Sequence, residues 1–99
     1  MYKKNILVLG SGLSGVGAVK LAKHFNYNVR VSSLNRITKK NKKLFLNLGV
    51  LFEELGNTFN YLKWSSLIIK SPGVPQNAII LKEARLREIP IISEIEFAF

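Results

Sequence analysis

The segment Val8 to Gly17, V-L-G-S-G-L-S-G-V-G, constrains this chain more than any other. Gly10, Gly12 and Gly15 stand in the G-x-G-x-x-G spacing, directly after the apolar run Ile6-Leu7-Val8-Leu9 and directly before a helical pattern. In that context the spacing predicts a buried parallel strand, a tight turn and a helix whose N-terminus points at a phosphate. Gly10 permits the turn. Gly12 removes the Cβ that would hold a pyrophosphate off the backbone, and Gly15 lets the helix lie close against the sheet. Free N–H groups and the positive end of the helix dipole then receive the anion. A P-loop is excluded, because Ala18-Val19 follow Gly17 where Lys and Ser or Thr are required.

The rest of the chain repeats the strand-then-helix alternation. Asn5 to Leu9 reads as the first strand, and the helix after it carries Ala18, Leu21, Ala22 and Phe25 at helical spacing, ending near Asn26. Val29 and Val31 mark a second strand, followed by the loop Ser32 to Arg36. Thr38 caps a short basic helix with the apolar stripe Leu44, Phe45 and Leu48, and Gly49 stops it. Val50 to Phe52 form a third strand, broken by Gly56-Asn57. Thr58 to Trp64 reads as a short helix burying Phe59, Leu62 and Trp64, and Leu67 to Ile69 as a fourth strand. Ser71-Pro72-Gly73-Val74-Pro75 is a rigid loop, Asn77 to Arg87 a helix, and Pro90 to Ile92 a fifth strand. Ser93-Glu94-Ile95-Glu96 is a capping box that opens a further helix.

Such alternation predicts an α/β, Rossmann-like five-stranded parallel sheet of order 3-2-1-4-5 flanked by helices. Right-handed crossovers bring the loops at Gly10 to Gly15, Ser32 to Arg36 and Ser71 to Pro75 to one rim, where ligands of such sheets bind.

Composition narrows the chemistry. Ninety-nine residues make one domain, and the absence of cysteine leaves neither a disulfide framework nor a thiol nucleophile. No apolar run reaches the length of a membrane span and the N-terminus lacks a signal-peptide core, so a cytoplasmic protein without membrane attachment is expected. The net charge of +9 raises nucleic acid as a partner. Against it, lysine supplies most of that charge and is spread along the chain, apart from the cluster at Lys39, Lys40, Lys42 and Lys43, which reads as a solvated helix face. Aspartate is absent, which removes most acid–base and metal-ligand constellations, and His24, the single histidine, reads as a helix-end surface residue. No catalytic residue, no metal ligand and no cofactor is therefore assigned to this chain.

The opening V-L-G-S-G-L-S-G, the S-P-G-V-P loop at Ser71 to Pro75 and I-P-I-I-S-E-I-E-F-A at Ile89 to Ala98 resemble the N-terminal domain of the Mur ligases of peptidoglycan synthesis, over essentially the whole chain. The resemblance is closest to the members that add D-glutamate to UDP-N-acetylmuramoyl-L-alanine. It implies an ATP-dependent ligase that activates a substrate carboxyl as an acyl phosphate for attack by the D-glutamate amine. In such enzymes this domain holds the UDP part of the substrate. ATP and magnesium would belong to a domain missing from residues 1–99, reached through the helix that begins at the capping box or supplied by a separate chain, so that residues 1–99 alone would be inactive. Carried over residue by residue, the resemblance implies a UDP site at Gly10, Gly12, Leu13, Ser14 and Gly15, at Ser33, Leu34, Asn35 and Arg36, and at Ser71, Pro72 and Gly73.

Two departures bear on that site. The family usually carries Asp where this chain has Ser33, and Gly where it has Glu88. The rival reading is an NADP-binding Rossmann module of an oxidoreductase or regulator, in which Ser32, Ser33 and Arg36 would accept the 2′-phosphate; NAD is disfavoured because no acidic residue ends the second strand.

Overall fold

The computed structural model describes residues 4–98. Along the chain run β1 (Asn5–Leu9), α1 (Leu13–His24), β2 (Asn28–Ser32), α2 (Lys39–Asn47), β3 (Leu51–Glu53), α3 (Phe59–Trp64), β4 (Leu67–Lys70), α4 (Ile79–Leu86), β5 (Ile91–Ser93) and α5 (Glu94–Ala98). The strands form one parallel sheet in the order β3-β2-β1-β4-β5. Since β1 is flanked by β2 on one side and β4 on the other, the order reverses at its C-terminal end, which opens a crevice there.

The pleat divides the core into two. Ile6 and Val8 of β1 pack with Ala18, Val19 and Ala22 of α1 and Phe45 of α2, whereas Leu7 and Leu9 pack on the opposite face with Leu62 of α3 and Ile80, Leu81 and Ala84 of α4. A strand covered on both faces must be apolar at every position, which explains the unbroken run Ile6 to Leu9. Each of the Leu, Ile, Val and Phe side chains among these contributes roughly 1.5–3 kcal/mol of transfer free energy, and each alanine methyl about 0.8 kcal/mol.

Three helices end in one motif. Asn26, Gly49 and Glu88 adopt φ of 63°, 71° and 57° directly after the caps of α1, α2 and α4. In each, the left-handed residue and its successor donate back to the last turn: Asn26 to Lys23 O and Tyr27 to Ala22 O, Gly49 to Leu46 O and Val50 to Phe45 O, Glu88 to Arg85 O and Ile89 to Ala84 O. This is the Schellman arrangement, which satisfies carbonyls that a helix end otherwise leaves open. The capping box at the sheet's end also forms: Ser93 N–H donates to Glu96 Oε1 and Glu96 N–H to Ser93 Oγ, both at 3.1 Å.

Four local expectations are corrected. The buried stripe of α1 is Gly15, Ala18, Val19 and Ala22, so Leu21 is half-buried and Phe25 is 61% exposed. In α3, Leu62 is buried but Phe59 is 45% exposed, and Trp64 is half-buried with the Arg30 guanidinium 4.3 Å from its ring centroid, a cation–π stack. The fourth helix starts at Ile79 rather than Asn77, because Ala78 donates to Pro75 O and closes a turn first. The third strand begins at Leu51, with Val50 consumed by the Schellman bond.

Candidate functional site

A cleft of about 440 Å³ lies at the C-terminal edge of the sheet, over the point where strand order reverses. Its walls come from all four βα loops: Gly10 to Gly12 and Ser14 after β1, Ser33 to Arg36 after β2, Asn57 after β3, and Ser71, Gly73, Val74 and Pro75 after β4. A second depression of about 480 Å³ runs between α1 and α2, lined by Lys20, Lys40, Lys43 and apolar groups such as Leu13 and Leu44. Only the first gathers backbone N–H groups, hydroxyls and amides at strand ends, which is where an α/β sheet binds ligands.

The glycine loop is shaped by contact. Gly10 has φ of +110°, and a Cβ there would meet Ser71 Oγ at 2.5 Å; a Cβ on Gly15 would meet Gly10 O at 2.4 Å. Gly15 thus lets α1 close on the loop itself. Around Gly12, which lines the cleft, a Cβ would meet no atom within 4 Å beyond its chain neighbours, so that side of the backbone is open. Gly12 is also the N-cap of α1, whose first turn has neither a side-chain cap nor an acidic residue. An uncapped N-terminus of a twelve-residue helix leaves its N–H groups and positive dipole available to an anion.

The rim is cross-braced. Asn41 Nδ2 donates to Ser11 O at 2.9 Å, tying α2 to the glycine loop, and Ser11 Oγ donates to Ser33 Oγ at 3.2 Å. Ser33 Oγ also accepts Asn35 N–H at 3.2 Å, so this serine, 3% exposed, holds the loop in shape. Glu54 bridges the loops after β2 and β3: Oε2 accepts Ile37 N–H and Oε1 pairs with Lys42 Nζ, each at 2.6 Å. The Lys42 ammonium and the Ile37 N–H hold the Glu54 carboxyl below the usual carboxylate range.

Of the residues expected to form the site, Gly10, Gly12, Ser14, Ser33, Leu34, Asn35, Arg36, Ser71 and Gly73 line the cleft. Leu13 points away and is 93% exposed, Gly15 is buried against the loop, and Pro72 stands outside the lining. Ser11 lies on the rim expected for the loop Gly10 to Gly15, whereas Thr38, Asn41 and Asn57 enter the cleft from outside the three expected loops. Asn57 was legible: Gly56-Asn57 follows a strand, and every loop in that position reaches the same edge. Among the described residues no three His, Cys, Asp or Glu side chains gather as a metal ion would need, and no helix is long and apolar enough to cross a membrane.

The family model described as Mur ligase MurD-like, N-terminal domain, matches residues 4–93. The chain belongs to that family. Among curated Mur ligases, the protein named UDP-N-acetylmuramoylalanine--D-glutamate ligase of Porphyromonas gingivalis (strain ATCC BAA-308 / W83) is 43% identical over 96 residues. Its counterpart of the same name in Cytophaga hutchinsonii is 41% identical over 96 residues. Each alignment covers 97% of this chain, and the chain spans 21% of the length of either relative. The Mur ligase fold is equally evident in solved structures. A murein peptide ligase from Psychrobacter arcticus superposes with a TM-score of 0.85 at 20% identity, over 95% of this chain and 20% of the other. The UDP-N-acetylmuramate:L-alanyl-gamma-D-glutamyl-meso-diaminopimelate ligase from Neisseria meningitides gives 0.83 at 14% identity, over 97% and 30%.

Proposed function

We propose that this domain binds the uridine diphosphate part of UDP-N-acetylmuramoyl-L-alanine for a D-glutamate-adding ligase of peptidoglycan synthesis. The observation that carries the reading is the cleft at the switch point, where the uncapped N-terminus of α1 and the open side of Gly12 meet the hydroxyls and amides of the neighbouring loops. The diphosphate sits on the N–H groups around Gly12 to Ser14, and the uracil lies between Ser33 to Arg36 and Gly73. Family membership favours this ligand over NADP. ATP, magnesium and the amino-acid site belong to the remainder of a longer ligase, so residues 1–99 alone bind and do not catalyse.

Calorimetric titration with UDP, UDP-N-acetylmuramoyl-L-alanine and NADPH tests the reading. Both uridine ligands should bind, and Gly12→Ala should abolish their binding while the protein stays folded, because the new methyl meets no protein atom but stands where the proposed diphosphate would approach the backbone. Tighter binding of NADPH than of either uridine ligand would overturn it in favour of the oxidoreductase reading.

A further inference from the structure

Resting on that reading, the hydrogen bonds beneath the cleft identify which residue reads the base. Ser32 Oγ is 2.6 Å from Glu53 Oε2 and is in contact as well with the side-chain amide of Asn57, whose Oδ1 is the end placed toward it, so that one hydroxyl proton faces two acceptors. Glu53 also accepts Thr58 N–H at 2.9 Å and Thr58 Oγ1 at 2.8 Å, so this carboxylate is occupied by donors. A carboxylate can only accept, and a serine hydroxyl has one proton. That proton goes to Glu53. The Asn57 group facing Ser32 must then be the donor, its NH2, since the ends of a side-chain amide are assigned by the bonds they make. The Asn57 carbonyl is left facing the other way, without a protein partner among the described residues, on a half-buried residue in the cleft wall.

Ser33 cannot serve the base in the way a carboxylate at its position would. It is 3% exposed, and its oxygen accepts from Ser11 Oγ and from Asn35 N–H, which fills both of its acceptor positions. We infer that Asn57 is the base-reading residue of this domain: held by the Glu53–Ser32 relay with its carbonyl toward the cleft, it accepts the imide N3–H of uracil. The relay fixes the polarity, so the site takes a base with a donor at that edge and refuses one with an acceptor. Asn57 is a specificity residue and takes no part in the chemistry.

The test compares UDP with 3-methyl-UDP, which lacks the N3 proton, by calorimetry on the intact chain and on Asn57→Ala, with Asn57→Ser as a second variant should alanine not fold. The unmodified protein should prefer UDP by about tenfold, the worth of one hydrogen bond, and both variants should lose that preference because UDP weakens while 3-methyl-UDP does not. Equal affinities for the two ligands in the unmodified protein would overturn the inference while leaving a uridine diphosphate site standing. So would a preference that survives in the variant, or an equal loss for both ligands, which would mark Asn57 as structural. Absence of any UDP binding by the unmodified protein would remove the site and the inference together.

Discussion

A Cβ placed on Gly15 would stand 2.4 Å from the carbonyl oxygen of Gly10. That approach sets the rotation of α1 about its axis: with Gly15 against the loop, the face toward the sheet becomes Gly15, Ala18, Val19 and Ala22, and Phe25 is carried out to solvent. Gly15→Ala therefore gains about 1 kcal/mol of helix propensity but loses more to overpacking against backbone, where costs run about 1–3 kcal/mol or above. A net loss of about 1–2 kcal/mol is expected in urea unfolding, since the contact is with backbone and its cost falls in the upper part of that range. Gly12→Ala meets no atom within 4 Å and should cost at most about 1 kcal/mol, glycine's advantage over alanine at an N-cap. Equal losses in the two variants would refute this account of the loop.

Glu88 occupies the left-handed position of the α4 Schellman motif at φ 57°, where Gly49 serves α2. A side chain there costs roughly 1–2 kcal/mol relative to glycine, offset in part by glycine's greater entropy loss on folding. Glu88→Gly should raise the thermal midpoint, with a gain of about 0.5–1 kcal/mol. The motif's two backbone bonds are kept, so the increase isolates conformational strain. An unchanged or lower midpoint would show that the loop relaxes without it.

Much of this was written in local sequence. Thr38, Asn26, Gly49 and the pair Ser93 and Glu96 act on neighbours a few residues away, and all serve in the structure as their types predict. Alternation and handedness implied a parallel sheet, and the expected order 3-2-1-4-5 is the one observed. What was not legible depends on contacts between distant segments: the rotation of α1, set by Gly10; the exposure of Phe59, which begins a short helix buried mainly through Leu62; and the entry of Asn41, a helix residue, into the cleft. Ser33 shows the limit most clearly. Its type and place suggest a ligand contact, yet its oxygen already accepts from Ser11 and Asn35 within the protein, so it has no acceptor position left for a ligand donor.

Asn41 offers a test of the bracing that is independent of the base. Its amide donates to Ser11 O, and Ser11 in turn bonds Ser33. Asn41→Ala removes one hydrogen bond, worth about 1 kcal/mol, and frees the glycine loop from α2. Hydrogen exchange at the bonded N–H groups that flank the loop, Gly10 (to Ser32 O) and Val16 (to Gly12 O), should accelerate, and UDP should bind roughly fivefold more weakly through the loss of a preformed loop. Unchanged exchange in these residues would mean that the loop is held by Gly10 and Ser71 alone.

Glu54 gives the rim a pH dependence whose sign is fixed. Its carboxyl is held below the ordinary range, first by the Lys42 hydrogen bond and then by the Ile37 N–H, against a smaller opposing effect of desolvation. A carboxylate depressed on folding stabilises the folded state above its unfolded value, about pH 4.3, and that contribution is lost as pH falls through the folded value. Since Lys42 and Glu54 are both partly solvent-exposed, high salt should shrink the effect. Glu54→Gln removes the charge but retains an acceptor for Ile37 N–H. The difference in thermal midpoint between the two proteins should therefore be largest near neutral pH and close as acid protonates Glu54. The same strut joins the loop carrying Arg36 to the one carrying Asn57, so UDP binding by the intact chain should weaken over that acid range more than binding by Glu54→Gln does. Parallel pH profiles of stability and of binding in the two proteins would show that Glu54 does not brace the rim.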